Sequence, residues 1–122
     1  MNDVDRGEGT RIPPEELPAA ITAYLAAHRT HETAVAITSY AADAVVVDEG
    51  RTHRGLDEIR SWLEGTASEY RYTTELTSAT SVDDTHFVVT QHLEGDFPGG
   101  VVDLHYRFTT SGALITHLTI EP

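Results

Sequence analysis

The chain has 122 residues, 39% of them hydrophobic, which is the usual size of a single domain with one core. It contains no cysteine, so disulfides and cysteine-ligated metal sites are excluded. Eight arginines, no lysine and 20 acidic residues give a net charge of -12, a field that repels nucleic acid and anionic membranes. No stretch has the pattern of a secretory leader or a membrane span, and a cytoplasmic location is expected.

The first ordered element is predicted to be a helix. Residues 1–11 are acidic and without periodicity, and we expect them to form a disordered tail before a single domain at residues 12–122. Pro13 and Pro14 suit a first helical turn, where the missing N–H of proline costs nothing. Helical spacing then places five residues on one inward face: Leu17, Ile21, Tyr24, Leu25 and His28.

A second helix, a strand and a third helix are predicted next. The second helix follows a break at Thr30 and should end near Ala42. The β-branched run that begins at Ala44 and is closed by Gly50 predicts a buried strand. An extended piece ending at Gly55 leads into the third helix, whose inward face carries Ile59, Trp62 and Leu63.

After Gly65 the hydrophobic period changes to two, which predicts antiparallel strands with one apolar face. Turns at Asp83–Asp84, Gly95–Gly100 and Ser111–Gly112 divide this region into four strands. The whole order predicts an α+β fold. The inward positions of the first three strands are Tyr70, Tyr72, Thr74 and Leu76, then Phe87, Val89 and Leu93, then Val102, Leu104, Tyr106 and Phe108.

Two polar residues in these elements indicate proton-transfer chemistry. Asp48 ends a strand and follows three valines, so its carboxylate would be partly desolvated and a better proton acceptor than an exposed one. Tyr24 lies on the inward helix face, and its phenol could donate a hydrogen bond to a developing enolate oxygen. Together they suit proton abstraction beside a carbonyl group, a reaction that requires no cofactor.

Two segments resemble a known family. Residues 39–48 (SYAADAVVVD) and 53–59 (HRGLDEI) are similar to the helix-strand-helix segment of ketosteroid isomerases. Those enzymes belong to the nuclear transport factor 2-like superfamily, together with SnoaL-like polyketide cyclases. The resemblance extends from about Ile12 to Glu121. It implies a cystatin-like cone, in which a curved antiparallel sheet packs against three N-terminal helices around a pocket.

The resemblance also implies roles for individual residues. Asp48 falls on the proton-shuttling aspartate of the isomerases, and Tyr24 falls on their oxyanion-binding tyrosine. Tyr40 matches a second tyrosine that supports the first, and Trp62 matches an aromatic residue of the pocket wall. The implied ligand is a small apolar carbonyl compound. The rest of the pocket wall is expected to comprise His28, Phe87, Val89, Leu104 and Tyr106.

The chain departs from the isomerase pattern at the second oxyanion donor. The isomerases have a protonated aspartic acid on the penultimate strand, at the position of Leu104. The strand alternation turns the neighbouring Asp103 outward. His117 is a candidate replacement, because a two-residue loop at Ser111–Gly112 would place it opposite Tyr106 on the pocket side. A loop one residue longer would turn His117 outward.

Other interpretations of the same residues stay open. Asp48 could be a strand-end carboxylate bound by N–H groups of a turn, and Tyr24 and Tyr40 could be core tyrosines. The chain could accordingly be an isomerase-like or cyclase-like enzyme, or a dimeric ligand-binding or interaction module without catalysis. A structural dimerisation domain with a filled interior is a third possibility.

The outward face of the sheet is expected to form a homodimer surface. Its predicted apolar residues are Val88, Leu118 and Ile120. His92 and His105 share the outward parity, but no third well-placed ligand accompanies them, so no metal site is expected.

Overall fold

The computed structural model describes residues 9–69 and 72–122, with residues 66–69 as backbone only. The molecule has the predicted α+β architecture, a curved seven-stranded sheet with helices on its concave face. The helices are α1 (Ala19–Arg29), α2 (Thr33–Ala36) and α3 (Gly55–Glu69). The strands are β1 (Thr10–Arg11), β2 (Tyr40–Asp48), β3 (Arg51–Arg54), β4 (Tyr72–Ser81), β5 (His86–Gly95), β6 (Val101–Ser111) and β7 (Leu114–Glu121).

The strands follow the order β1-β4-β5-β6-β7-β2-β3, and β2 pairs with β7 in parallel while the other described pairs are antiparallel. Register shifts interrupt the pairing between Leu76 and Ser78 in β4 and between Tyr40 and Val45 in β2. Because bulges of this kind bend a strand, they contribute to the curvature that brings the two sides of the concave face together. No helix in the described part of the chain is long and apolar enough to cross a bilayer.

Helix α1 has the predicted inward face. The two prolines begin a 3₁₀ turn at Pro14–Glu16, and the α-helix itself starts later, at Ala19. The break after the helix is confirmed by His31, which adopts a positive φ of 60°. All five residues predicted to point inward are buried: Leu17, Ile21, Tyr24, Leu25 and His28.

The prediction of the second helix is mostly wrong. Helix α2 has four residues, a 3₁₀ turn follows at Ile37–Ser39, and β2 already begins at Tyr40. Tyr40 pairs with Ile115 of β7. Pairing in the sheet therefore outweighs the helix propensity of the alanine-rich stretch that follows Tyr40.

The start of the chain is ordered earlier than predicted. Thr10 and Arg11, assigned to the tail from sequence, form β1 and pair with Ser81 and Thr80 of β4. The preceding Gly9 has a φ of 82°, and a Cβ at this position would lie 2.2 Å from the Ser81 carbonyl oxygen. Residues 1–8 of the predicted tail lie outside the described residues.

Helix α3 is longer than predicted. It continues past Gly65 to Glu69, so the change of period at Gly65 does not mark the end of the helix. Tyr70 and Arg71, predicted to be strand residues, lie outside the described residues. The inward residues Ile59, Trp62 and Leu63 are buried as predicted.

The prediction for the outward side of β7 is wrong. Leu118 and Ile120 are buried in the core, where they face Phe108 and Tyr106 of β6. The reason is a register shift near the β6-β7 turn: Thr110 pairs with Ile115, whereas Thr109 pairs with His117. One extra residue in β7 inverts the parity of the rest of the strand.

Candidate active site

Asp48 occupies the end of β2 on the concave side of the sheet. It follows the fully buried Val46 by two residues, so alternation gives both side chains the same face. The carboxylate is only partly buried. Glu49 and Gly50 then reverse the chain with positive φ values of 55° and 75°, as in the tight hairpin turns that join antiparallel strands.

Trp62 holds the Asp48 carboxylate in place. This residue comes from α3, is 8% exposed, and donates a hydrogen bond from its indole Nε1–H to Asp48 Oδ2 over 3.0 Å. Within the described residues, Oδ1 has no hydrogen bond and no cation lies within ion-pair distance of the carboxylate. One oxygen is thus fixed, while the other is free to accept a proton. The sequence predicted Trp62 as a wall residue and did not predict its role as a donor.

A column of rings connects Trp62 to Tyr24. His28 stacks on Tyr24 with a centroid distance of 5.6 Å and on Trp62 with one of 6.5 Å, and both pairs are tilted by 12°. The half-buried His53 approaches Trp62 as well, at 5.8 Å. Tyr24 therefore reaches Asp48 through two intervening rings, not across the open space that the sequence predicted between them.

The hydroxyl groups of Tyr24 and Tyr40 are enclosed in the core. The two rings meet edge to face at 5.2 Å, and neither hydroxyl has a hydrogen-bond partner among the described residues. Burial raises the pKa of both phenols above its ordinary value, so both stay protonated. The predicted contact between the two tyrosines exists, but a substrate oxygen could reach Tyr24 only if neighbouring rings moved.

Tyr72 and Tyr106 are the phenols whose pKa is raised by the charge of Asp48. In the sheet, Tyr106 of β6 and Asp48 of β2 both pair with Ile120 of β7, so the three form one row across the concave face. Burial raises the pKa of both phenols. The charge of Asp48 raises the pKa of Tyr72 further, whereas the pKa of Tyr106 is raised further by Tyr72 first and by Asp48 second. The pKa of Tyr24 is raised by burial and by other tyrosines, and Asp48 is not among the causes.

Gln91 adds an amide to the same face. It is buried at 4% exposure and pairs with Leu76 and Leu104 on the neighbouring strands. A hydrogen bond with its side chain lowers the pKa of the Tyr106 phenol, although burial raises that pKa by more. The sequence analysis missed Gln91, although a polar residue at an inward strand position was a usable signal. We call Asp48, Trp62, Tyr72, Gln91 and Tyr106 the Asp48 site.

No family model and no curated protein sequence matches the chain, but solved structures do. A candidate polyketide cyclase from Sinorhizobium meliloti is 31% identical, with a TM-score of 0.84 over 90% of this chain and 100% of that one. The chain belongs to the nuclear transport factor 2-like superfamily. A protein of ketosteroid isomerase-like fold from Catenulispora acidiphila, in complex with trimethylamine, is 24% identical over 86% of this chain and 85% of that one, with a TM-score of 0.76. A nuclear transport factor 2-like protein of unknown function from Cytophaga hutchinsonii is 9% identical over 84% and 85%, with a TM-score of 0.69.

Membership of the nuclear transport factor 2-like superfamily accounts for the cone, whereas the role of the predicted wall residues in lining a pocket stays a prediction. Leu104 points inward and is half-buried, while Phe87 and Val89 are part of the core. His28 is also buried, and this burial, helped by nearby His31, lowers its pKa to about 4. Because one fold of this kind hosts many reactions, the activity must be argued from the site.

The predicted inward orientation of His117 is wrong. It pairs with Thr109 on the convex face, is exposed, and lines a shallow groove there with Arg107 and Thr119. Its Nδ1 contacts the hydroxyl of Thr116 at 3.2 Å. The turn lies at Gly112–Ala113, one residue later than predicted, and this change alone would still place His117 opposite the inward Phe108. The extra residue in β7 is what turns His117 outward. His117 is consequently no part of the Asp48 site.

Asp103 points outward as predicted. It accepts a hydrogen bond of 2.6 Å from Nδ1 of His92, and Nε2 of the same ring contacts Glu94 at 2.8 Å. These carboxylates raise the pKa of His92. His105 instead contacts the Thr90 hydroxyl at 3.0 Å. No group of three potential metal-ligating side chains with suitable geometry occurs in residues 9–69 and 72–122.

Proposed function

We propose that the protein is a small-molecule enzyme that moves a proton beside a carbonyl group, as isomerases and cyclases do. The observation that carries this proposal is the state of Asp48, whose Oδ2 is held by Trp62 and whose Oδ1 is free at the edge of a ring-lined face. Oδ1 would take the proton from the carbon next to the carbonyl. The resulting enolate oxygen would receive hydrogen bonds from protonated phenols, and Asp48 would return the proton to another carbon.

The proposed ligand is a small, mostly apolar carbonyl compound. The concave face offers aromatic and aliphatic side chains with few polar groups, the usual composition of a site for such compounds. The likeness to the candidate polyketide cyclase supports a substrate with enolisable carbonyl groups. The trimethylamine bound to one structural neighbour supports the general capacity of this fold to hold small molecules.

The test is Asp48→Asn, assayed with a cyclic β,γ-unsaturated ketone whose conversion to the conjugated isomer is followed by ultraviolet absorbance. Because general bases contribute on the order of 10² to 10⁴ in rate, turnover should fall by at least 100-fold while the melting temperature stays nearly unchanged. Asp103→Asn removes an exposed carboxylate on the opposite face and serves as the matched control. Equal turnover by the wild type and Asp48→Asn would exclude the mechanism.

A non-catalytic ligand-binding or interaction module is the second candidate. It is favoured by the ring packing around Tyr24, which fills the inner end of the cone, where the isomerase resemblance implies an oxyanion site. The buried state of Phe87, Trp62 and Tyr106 points the same way. Saturable binding of apolar ketones with no turnover of any of them would establish this module and exclude the enzyme.

Under either candidate function, we propose a cytoplasmic homodimer that associates through the convex face. With Leu118 and Ile120 in the core, the apolar side chains of this face include, among the described residues, the half-buried Val45, Val47 and Val88 and the exposed Val101 and Leu114 near strand ends. Sedimentation of the purified protein at micromolar concentration decides the point, because a monomer would remove the dimer from the proposal.

A further inference from the structure

We propose that two copies of this chain pair through the convex face about a twofold axis that runs across the strands at the level of Thr90 and His105. In this arrangement Arg107 of each copy lies opposite the partner's Asp103. The inference rests on the homodimer proposed above and deepens it, because it names the orientation of the two copies and the residues that determine it.

The convex face has room for a second copy. In the described part of the chain, α1 and α3 contribute their buried side chains to the core on the concave side. The outward residues of β4, β5 and β6 are exposed or half-buried, and these strands are 10, 10 and 11 residues long. At the usual strand spacing and rise they present about 500 Å² on each copy, so a dimer would bury about 1,000 Å², the lower limit for a specific interface.

The charged residues of β6 are arranged symmetrically about His105. This residue pairs with Thr90 of β5, whose hydroxyl contacts its Nδ1 at 3.0 Å. Arg107 and Asp103 lie two residues to either side of His105, which is about 7 Å each way along a strand. A rotation that exchanges the two ends of β6 about His105 therefore brings a cation to the position of an anion.

Strand β5 has the same arrangement over a longer distance. His86 and Glu94 lie four residues to either side of Thr90, about 14 Å each way. Glu75 of β4 lies toward the Glu94 end as well, since it pairs with His92. One end of the convex face is therefore rich in carboxylates, and the other end carries an imidazole and a guanidinium group.

An axis across the strands brings the unlike ends of two copies together. Aligned sheets pack about 10 Å apart, with their strands rotated by about 30°. About 7 Å from the crossing point, this rotation displaces Arg107 from the partner's Asp103 by only about 4 Å, which the long arginine side chain can span. An axis along the strands would place each carboxylate-rich row against the same row of the partner, and such like-charge contacts are unfavourable.

Arg107 and Asp103 both keep bonding capacity for a partner. Arg107 uses its Nε–H to bind Glu121 at 2.6 Å, and its Nη groups have no acceptor among the described residues. Asp103 accepts from His92 through Oδ1, and its Oδ2 has no donor in the same part of the chain. Each copy can thus add the contact with its partner without breaking the pairs that it already has.

The inference is tested by exchanging the two charges between copies. Arg107→Glu alone and Asp103→Arg alone each place like charges at both symmetry-related contacts, so self-association should weaken at least 100-fold. In a 1:1 mixture of the two variants, the introduced glutamate faces the introduced arginine at one contact, and the natural pair remains at the other. A heterodimer should therefore form with an affinity within about tenfold of the wild-type dimer. Sedimentation velocity measures self-association, and native mass spectrometry identifies the heterodimer by its mass.

Matched controls separate this contact from the change in net charge. Arg60→Glu and Asp57→Arg make the same charge changes at exposed positions of α3, and both should dimerise like the wild type. Should a variant of the convex face not fold, His86→Glu and Glu94→Arg replace the pair and exchange the charges of the outer contact, with a smaller loss.

The outcomes distinguish this inference from the proposed enzyme. A monomeric wild type would overturn the inference, and so would a dimer that neither charge reversal weakens. Two monomeric variants that form no heterodimer when mixed would also overturn it, because the two residues would then not face each other. The Asp48 site lies on the concave face of a single copy, so the loss of turnover in Asp48→Asn tests the proposed function independently of all these results.

Discussion

The hydrogen bond between Trp62 and Asp48 determines what the carboxylate can do. A carboxylate with two solvated oxygens rotates freely, whereas the bond of 3.0 Å to Oδ2 restricts the group to one orientation and leaves Oδ1 for a ligand. The donor is neutral, so it fixes the carboxylate without the charge compensation that an arginine would bring. Orientation without neutralisation is what a general base requires.

His28 makes stability depend on pH. Its ordinary pKa of 6.5 falls to about 4 in the folded chain, chiefly because burial disfavours the charged ring. Between pH 6.5 and 4 the unfolded chain therefore binds a proton that the folded chain does not. The stability contribution is complete above pH 6.5 and is lost as the pH falls toward 4, a total of about 3 kcal/mol from a difference of this size.

We therefore expect His28→Phe to be less sensitive to acid than the wild type. Phenylalanine keeps a ring between Tyr24 and Trp62 but cannot be protonated. Chemical denaturation at pH 7 and pH 4 should show that the wild type loses about 3 kcal/mol more of its free energy of unfolding than the variant. Subtracting the variant removes the contribution of the carboxylates, which titrate in both proteins. An identical loss in the two proteins would contradict the prediction.

At the scale of elements, the β2-β3 hairpin positions Asp48. Its two turn residues both have positive φ, a conformation that favours asparagine followed by glycine. Glu49 adopts it at a cost, since a residue with a Cβ is disfavoured there. No described atom lies within 4 Å of a Cβ added at Gly50. Any loss of stability on substituting Gly50 therefore comes from the backbone conformation alone.

Substitutions in this turn should change stability in opposite directions. Glu49→Asn should stabilise the protein by roughly 0.5 kcal/mol, and Gly50→Ala should destabilise it by about 1 kcal/mol, because of the φ each position requires. Gly65→Ala is the matched control: no described atom outside its own helix lies within 4 Å of an added Cβ at this helical position, so alanine should stabilise the protein by up to about 1 kcal/mol. Thermal melts measure all three, and a stabilised Gly50→Ala would refute the assignment of the turn.

The sequence predicted the elements whose pattern is local. Helix α1 was predicted from the spacing of its buried residues, and the inward parity of β5 and β6 followed from alternation. The second helix was not predicted correctly because its end depends on the pairing of β2 with β7. The face of His117 was not predicted correctly because it depends on the pairing of β7 with β6. A single register shift near Thr109 was sufficient to turn His117 to the opposite face of the sheet, and no local sequence pattern indicates such a shift.

The site was predicted in part for the same reason. Asp48 was identified from its position at the end of a buried strand and again from the resemblance, and Trp62 was identified as a site residue from the resemblance. Whether they act in catalysis remains a prediction. Tyr72 was noted only for its inward parity, and Gln91 was not noted. Tyr72 and Asp48 are separated by three strands in the sheet order, so the charge of Asp48 affects the pKa of Tyr72 only because the sheet is curved, and curvature is a property of the assembled sheet.

The whole molecule carries a net charge of -12, and this charge opposes folding. Compaction brings the acidic side chains closer than they are in the unfolded chain. The exposed pairs that offset this repulsion, such as Arg107 with Glu121 at 2.6 Å, each contribute about 1 kcal/mol or less. With 20 acidic residues against eight basic ones, repulsion should outweigh these local attractions.

Salt should consequently stabilise the protein at neutral pH. Raising sodium chloride from about 0.02 M to about 0.5 M shortens the screening length severalfold and weakens the long-range repulsion more than the close pairs, so the melting temperature should rise by a few degrees. The internal control is the same titration near pH 4.7, the isoelectric point, where the net charge is close to zero and the rise should largely disappear. If the melting temperature at pH 7 falls with salt, the local ion pairs outweigh the net charge, and the stabilising contribution must be sought in pairs such as His92 with Asp103.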